Sequence, residues 1–322
     1  MRKKTYRLFL CGFLFAWTVS LFAQTSPIII DTDAAIDDMQ AITYLLNQPS
    51  VNILAISLDS NGEANCINGL QHIAGLLTLM DRKTIPFACG DTAPSRNRQF
   101  PKQWRQQTNT FLNITLPPSA LHPQNVTAAQ LIINSLQASS QQVTIIELGT
   151  LSNLARAYQS NPQLLRTKIN AIYSTGGNFK KNSSLSLHRP HLTWNYFIDP
   201  ISVKIILQSK IQFYMASNEG FPTLKVPYIY APLAVKRDSK AAALVHEILK
   251  RSQNNWFIAD QFTAVWAIHP EVCAYQIINT QILTAPPSLA GVTIASQHGE
   301  PVNVCLQPKP QLFYSIFLNG LK

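Results

Sequence analysis

Asp31, Asp33, Asp37 and Asp38 place four carboxylates within eight positions, directly after the apolar run Ile28-Ile29-Ile30. Carboxylates crowded this closely repel one another unless a cation or shared protons neutralise them. The cluster is therefore a candidate metal site. Oxygen-only ligands favour a hard cation, Ca²⁺ or Mg²⁺. The bland alternative is a solvated turn that ends in a helix N-cap.

Both faces of Ile28–Ile30 are apolar and β-branched, which predicts a buried strand of a parallel sheet. The carboxyl ends of such strands are where open α/β sheets place their sites. Further strands are expected at Val51–Leu58, Pro86–Gly90, Val143–Glu147, Ile169–Ser174, Ile211–Met215, Val292–Ala295 and Val302–Leu306. Helices are expected at Asp37–Asn47, Ala64–Met80, Ala128–Gln137, Leu151–Gln159, Asp199–Leu207, Ala241–Lys250, Gln261–Ile268 and Gln311–Leu321. The alternation implies one α/β domain, a mostly parallel central sheet wrapped by helices. Asp91–Gln124, rich in Pro, Asn, Gln and Arg, reads as a long loop or lid. No internal repeat and no domain boundary stands out.

Residues 1–23 read as a signal peptide: Arg2, Lys3, Lys4 and Arg7 precede the uncharged stretch Leu8–Ala23. That stretch is short for a membrane-spanning helix. A periplasmic or secreted location is the expectation, with residues 24–322 as the catalytic domain and no stable membrane insertion after cleavage. The formal charge is +10, and removal of the four basic residues in the leader brings it to +6. The remaining basic residues are scattered, as in Lys180-Lys181, Lys236-Arg237 and Lys250-Arg251, with no basic stripe for nucleic acid. Outside the leader lie Cys66, Cys89, Cys273 and Cys305, without CxxC spacing, so a zinc site is not indicated. In an oxidising compartment one or two disulfides are possible, with three pairings open. Buried thiols are the alternative.

The chain resembles the nucleoside hydrolases of the inosine–uridine-preferring type. Asp31-Thr32-Asp33-Ala34-Ala35-Ile36-Asp37-Asp38 is similar to the opening DxDxxxDD motif of that family. Leu148-Gly149-Thr150-Leu151-Ser152-Asn153-Leu154-Ala155 resembles its G-P-L-T-N-[IL]-A stretch, and Thr175-Gly176-Gly177 its M-G-G turn. Trp194-Asn195 with Asp199-Pro200 resembles E-F-N-x-x-x-D-P, and Asp260 precedes a helix as the late metal-binding Asp does. The resemblance implies a Rossmann-like core and Ca²⁺-dependent hydrolysis of the N-glycosidic bond of a ribonucleoside to free base and ribose. It implies Asp33, Asp38, Asp260 and the main-chain carbonyl of Leu148 as metal ligands. Asp37 becomes the general base on the attacking water, and Asp31 a hydrogen-bond acceptor that orients its neighbours. Asn61, Asn195 and either Asn178 or Asn182 are implied on the sugar, with Thr193 and Trp194 beside them. A homo-oligomer is possible.

Two departures stand out. Thr193 replaces the Glu that helps hold the ribose 5′ side, so a hydrogen bond remains but the charge is gone. Ala259 stands where purine-acting members often carry His, and Ala cannot protonate a leaving base. Trp194, Trp256, Phe257 and Trp266 are candidates to stack on the base, and His188 and His191 to replace the acid.

Two other readings compete. A haloacid-dehalogenase-like phosphatase also begins with an apolar strand and DxD and uses Mg²⁺, but it gives Asp37-Asp38 no role. A homologue that binds Ca²⁺ or ribosyl groups without catalysis would tolerate Thr193 and Ala259, yet has no need of Asp37.

Overall fold

A computed structural model describes residues 27–93, 98–179, 193–235, 238–253 and 258–322. The expected leader, Asn182, His188, His191, Trp256 and Phe257 lie outside them. Among the described residues, nine strands form one sheet.

The run Ile28-Ile29-Ile30 forms β1 (Ile28–Thr32), buried along its whole length. It pairs in parallel with β2 (Ile53–Leu58) on one side and β4 (Val143–Glu147) on the other. From β2 the chain steps outward to β3 (Phe87–Cys89). From β4 it steps the other way through β5 (Ile169–Thr175) and β6 (Phe213–Ala216) to β9 (Glu300–Cys305). All these pairs are parallel. The exceptions are β7 (Gln276–Ile282), antiparallel to β9, and β8 (Thr293–Ala295), antiparallel to β7. The strand order β3-β2-β1-β4-β5-β6-β9-β7-β8 reverses direction between β1 and β4. That switch point opens a crevice above the carboxyl ends of both strands.

Alternate side chains of β1 feed two cores. Ile28 and Ile30 pack with α1 (Ile36–Leu46), α2 (Cys66–Leu79), α9 (Pro227–Leu233), α10 (Lys240–Arg251), α11 (Asp260–Ile268) and α12 (Pro310–Gly320). Ile29 faces α4 (Ala128–Ala138), α5 (Ser152–Ser160), α6 (Pro162–Lys168) and α8 (Pro200–Gln208). Helix α1 is buried at every position except Asp37, because it lies between the sheet and a second tier of helices. Its polar residues are accommodated inside: Thr43 Oγ1 donates to the Met39 carbonyl and Gln40 Nε2 to that of Ile36.

The long segment after β3 is partly helical, with α3 at Lys102–Asn109. Trp104 is its one large apolar residue, so no apolar period marks it. The sequence reading also omitted α6, α9, β7 and the short α7 (Trp194–Ile198). Strand β7 alternates weakly and is half exposed near the sheet edge. The four cysteines form two disulfides, Cys66–Cys89 and Cys273–Cys305, which settles the open pairing. No helix among the described residues is long and apolar enough to cross a membrane.

Candidate active site

The turn after β1 is built from its own side chains. Ala34 sits in the left-handed region at φ +54°, a strained position for a residue with a Cβ. Two local bonds hold it there: Ala34 N–H donates to Thr32 Oγ1 (3.0 Å) and Ala35 N–H to Asp33 Oδ1 (3.1 Å). Leu151, beyond β4, is left-handed too at φ +61°, and its N–H donates to Glu147 Oε1 (3.2 Å). Both strained turns lie on the two strands that flank the switch point.

The first turn of α1 carries Asp37 and Asp38, and Asp260 opens α11. These two helices pack together, so their N-termini meet. Oxygens of Asp37, Asp38 and Asp260 lie within 4.8 Å of one another. Asp38 Oδ1 accepts from Thr32 Oγ1 and from the N–H of Asp33 (3.2 Å). Asp33 lines the same cavity, although the tight trio is completed by Asp37 and not by Asp33. Burial first, then like charge nearby, holds the carboxyls of Asp33, Asp38 and Asp260 well above the usual carboxylate range. Burial raises Asp37 as well. Asp260 Oδ1 is buried with no hydrogen-bond partner. An orphaned carboxylate oxygen beside two more carboxylates fits a hard cation, so the donor set suits a metal.

The cavity above this floor holds about 570 Å³, enough for a nucleoside-sized molecule. One wall is aromatic. The Trp194 ring stacks on Phe100 (centroids 5.9 Å apart) and meets Trp104 (5.4 Å) and Phe197 (5.8 Å) edge-on. Thr193 and Asn195 also line the cavity. Thr193 Oγ1 accepts from Gly177 N–H (3.1 Å), and Asn195 Nδ2 donates to the carbonyls of Leu148 (2.6 Å) and Thr175 (3.4 Å). Gly177 is required there: its φ is +88°, and a Cβ would lie 2.2 Å from Met215 Sδ. The Leu148 carbonyl has a second lone pair and lies at the cavity.

Several expectations change. Asn61 does not line the cavity. Its Nδ2 donates to Ser152 Oγ (2.9 Å) and its Oδ1 accepts from Thr150 Oγ1 (3.0 Å), so it braces the turn after β4. Glu63, two residues on, lines the cavity instead. Its carboxyl accepts from Thr108 Oγ1 and is pushed up to about 8, chiefly by burial and also by the Asp37 charge. The sequence signal for Glu63 was present but slight, a lone acid just past the second strand. Asn178 is pinned by its main chain to Thr293, with its N–H donating to Thr293 Oγ1 (2.7 Å), and it is not a lining residue. Trp266 is fully buried in the core against Tyr173 and Tyr214, away from any base. Phe100, Trp104, Asn218 and Phe221 line the cavity and were not foreseen.

Asp31 lies beneath the site, where its Oδ1 accepts from Ser57 Oγ (2.6 Å) and Asn153 Nδ2 (2.9 Å). Burial moves it up to about 6, against those bonds. The Thr150–Asn153 stretch thus ties strands together: Thr150 N–H donates to Asp59 Oδ2 (2.6 Å) and Ser152 Oγ to Asp199 Oδ2 (2.8 Å). Asp199 in turn caps α8 through Ser202 N–H (3.1 Å), with Pro200 in the first turn. Ala259 lines the cavity, and no histidine does among the described residues.

Carboxylates gathered at the switch point of a parallel sheet, under a cavity with one aromatic wall, define a metal-assisted enzyme acting on a small polar substrate. The chain belongs to the inosine-uridine preferring nucleoside hydrolase family, whose model matches residues 28–315. It is therefore an N-glycosidase of a metal-dependent family, and the phosphatase reading falls. A relative from Salmonella paratyphi B, a pyrimidine-specific ribonucleoside hydrolase, is 30% identical over 258 residues, 76% of this chain and 80% of its own length. The fold matches the crystal structure of an inosine-uridine preferring nucleoside hydrolase from Bacillus anthracis (TM-score 0.81, 20% identity, 92% of this chain and 99% of that one). A purine-preferring ribonucleoside hydrolase from Gardnerella vaginalis superposes with TM-score 0.78 at 17% identity, over 92% of this chain and 98% of that one.

The raised carboxyls set a pH dependence. Groups whose folded pKa lies above the ordinary value of 3.8 bind more protons folded than unfolded. Their contribution to stability is then lost as pH rises above that value. Protein stripped of divalent ions should melt at progressively lower temperature from about pH 5 to about pH 8, and added Ca²⁺ should restore more stability at the higher pH. Thermal denaturation with and without chelator checks this. A Ca²⁺ effect equal at both ends of the range would contradict the assignment.

Proposed function

We propose that the chain is an exported, Ca²⁺-dependent hydrolase that cleaves ribonucleosides to free base and ribose. The observation that carries this reading is the meeting of Asp37, Asp38 and Asp260 beside Asp33 and the Leu148 carbonyl, under a cavity of nucleoside size. Asp33, Asp38, Asp260 and the Leu148 carbonyl would hold the ion, because an all-oxygen set of this kind suits Ca²⁺. An ion held there would supply charge to polarise a water and to draw sugar hydroxyls toward it. The chain's own groups do the rest. Asp38 and Asp260 are almost wholly buried and bonded to neighbours, whereas Asp37 is half-buried at the cavity floor. Asp37 is thus the carboxylate placed to take the proton of the water. Asn195 holds the Leu148 carbonyl, and the Trp194 wall offers a flat apolar face for a nucleobase. The reading extends to a homo-oligomer, which mass in solution tests: a strictly monomeric mass would end that part of it.

Asp37→Asn should keep the metal and lower kcat by about 10²–10⁴-fold, while Asp260→Ala should lose both metal and activity. Elemental analysis beside a free-base assay over a nucleoside panel, with and without EDTA, decides it. Pyrimidine ribonucleosides come first in that panel, on the strength of the Salmonella relative. Turnover of Asp37→Asn at the wild-type rate would remove Asp37 from the chemistry.

Ala259 offers no proton to a departing base, so rate should track the intrinsic quality of the leaving group. p-Nitrophenyl riboside should be cleaved much faster than inosine, and Ala259→His should narrow the gap, by up to about 10²–10⁴-fold if the ring reaches the base. Equal rates on the two substrates in the unmodified enzyme would show that another acid operates.

Two observations support export: the basic-then-apolar pattern of residues 1–23 and the pairing of all four remaining cysteines as disulfides, which persist in oxidising compartments. N-terminal sequencing of the extracytoplasmic protein should begin near Gln24, and an intact Met1 would count against cleavage.

A further inference from the structure

Glu63 stands apart from the carboxylates already assigned. It lies on the loop between β2 and α2, is only 3% exposed, and still lines the cavity. It is not one of the three groups that converge at Asp260. Its position is fixed from several sides. Its N–H donates to Asp33 Oδ2 (3.3 Å), and the next residue, Ala64, donates to the Asp33 carbonyl (3.1 Å). Gly62 makes this approach possible, since a Cβ there would lie 2.3 Å from Asp33 Cβ. From the opposite side α3 reaches in: Thr108 Oγ1 donates to Glu63 Oε1, and Asn109 Oδ1 accepts from Asn65 N–H (2.9 Å). The Cys66–Cys89 disulfide fastens the same loop to the end of β3.

One Glu63 oxygen is thus occupied by a fully buried threonine, and the other has the cavity before it. A single bond from Thr108 would be satisfied as well by a neutral amide, without adding another acid near Asp33 and Asp37. The free oxygen suits a hydroxyl group, and a sugar presents several. Two polar neighbours in the lining are partly committed to the protein: the Thr193 hydroxyl accepts from Gly177, and the Asn195 amide nitrogen serves Leu148 and Thr175.

We propose that Glu63 is a substrate-contacting residue, whose free carboxyl oxygen hydrogen-bonds a 2′- or 3′-hydroxyl of the sugar on the Asp33 and Asp37 side of the cavity. The inference rests on the nucleoside hydrolase reading and adds the group that enforces a hydroxylated sugar. Thr108 is a positioning residue, because it holds Glu63 without touching the substrate.

The test compares wild type, Glu63→Ala, Glu63→Gln and Thr108→Val on one ribonucleoside and its 2′-deoxy, 3′-deoxy and 5′-deoxy analogues. The readouts are kcat/KM, metal content and the thermal shift produced by free ribose and its deoxy forms. Wild type should process the 2′-deoxy or the 3′-deoxy analogue at least about 10²-fold more slowly, as a site built around a substrate hydroxyl does. Glu63→Ala should lower that ratio for this analogue alone, leaving the part that the ion contributes, with the 5′-deoxy ratio and the metal content unchanged. Glu63→Gln and Thr108→Val should fall between, and they carry the test if Glu63→Ala does not fold. Equal slowing on every substrate with unchanged ratios overturns the proposal. So does loss of the metal, which would make Glu63 a ligand, or a change confined to the 5′-deoxy analogue. If wild type releases no base from any nucleoside, the catalytic reading fails separately. Ribose shifts then decide the contact: a shift lost in Glu63→Ala supports it, and an equal shift overturns it.

Discussion

Everything at this site depends on crowding like charge where water is scarce. Two carboxylates about 4 Å apart repel by roughly 4 kcal/mol at an effective dielectric of 20. Here Asp33, Asp37, Asp38, Glu63 and Asp260 share one cavity. The N-termini of α1 and α11 offset part of this, since Asp37 and Asp38 lie in the first turn of one and Asp260 opens the other. A helix end contributes typically about 0.3–1 kcal/mol per charge, which is less than one pairwise repulsion. The cluster is therefore stable only with protons or a cation, and the orphaned oxygen of Asp260 shows how little the protein itself supplies. The scaffold is arranged to make that crowding possible. Buried β1 delivers Asp33, the strained turn at Ala34 redirects the chain into α1, and α11 packs on α1 so that Asp260 closes the trio.

The elements that carry the cluster were legible because they are buried. Strand β1, helix α1 and strand β4 are mostly apolar, and their boundaries fall within a residue or two of the expected ones. The elements that shape the cavity were not, because they are half exposed. Helix α3 has Trp104 as its single large apolar residue, so it reads as loop, yet it supplies one ring of the aromatic wall and the bond to Glu63. Asn61 and Glu63 show the same limit at the scale of one loop. Their types and spacing suit either role, and only the turn geometry sends Asn61 toward Ser152 and Glu63 into the cavity. The Thr150–Asn153 stretch carries part of the family resemblance, and it contributes mostly by tying Asp31, Asp59 and Asp199 to the sheet.

The metal side and the substrate side of the cavity follow different constraints. On the metal side each carboxylate is held by a strand end or a helix start, so moving one disturbs the core beneath it. On the substrate side the groups stand on short turns and on α3, which pack against less. The two departures from the family pattern fall there, Thr193 for an acid and Ala259 for a histidine, and Glu63 lines the same cavity. A charge is absent beside Asn195, and another is present next to Asp33, where the Glu63 N–H bonds the Asp33 carboxylate. Since the cation requirement is set by the trio and its neighbours, changes at Thr193 and Ala259 leave it untouched. They bear instead on the proposed grip of the sugar and the proposed release of the base. A pocket of this kind can change its substrate while its metal chemistry stays fixed only where the change spares the main chain, because Ala259 adjoins Asp260 and the Glu63 N–H bonds Asp33.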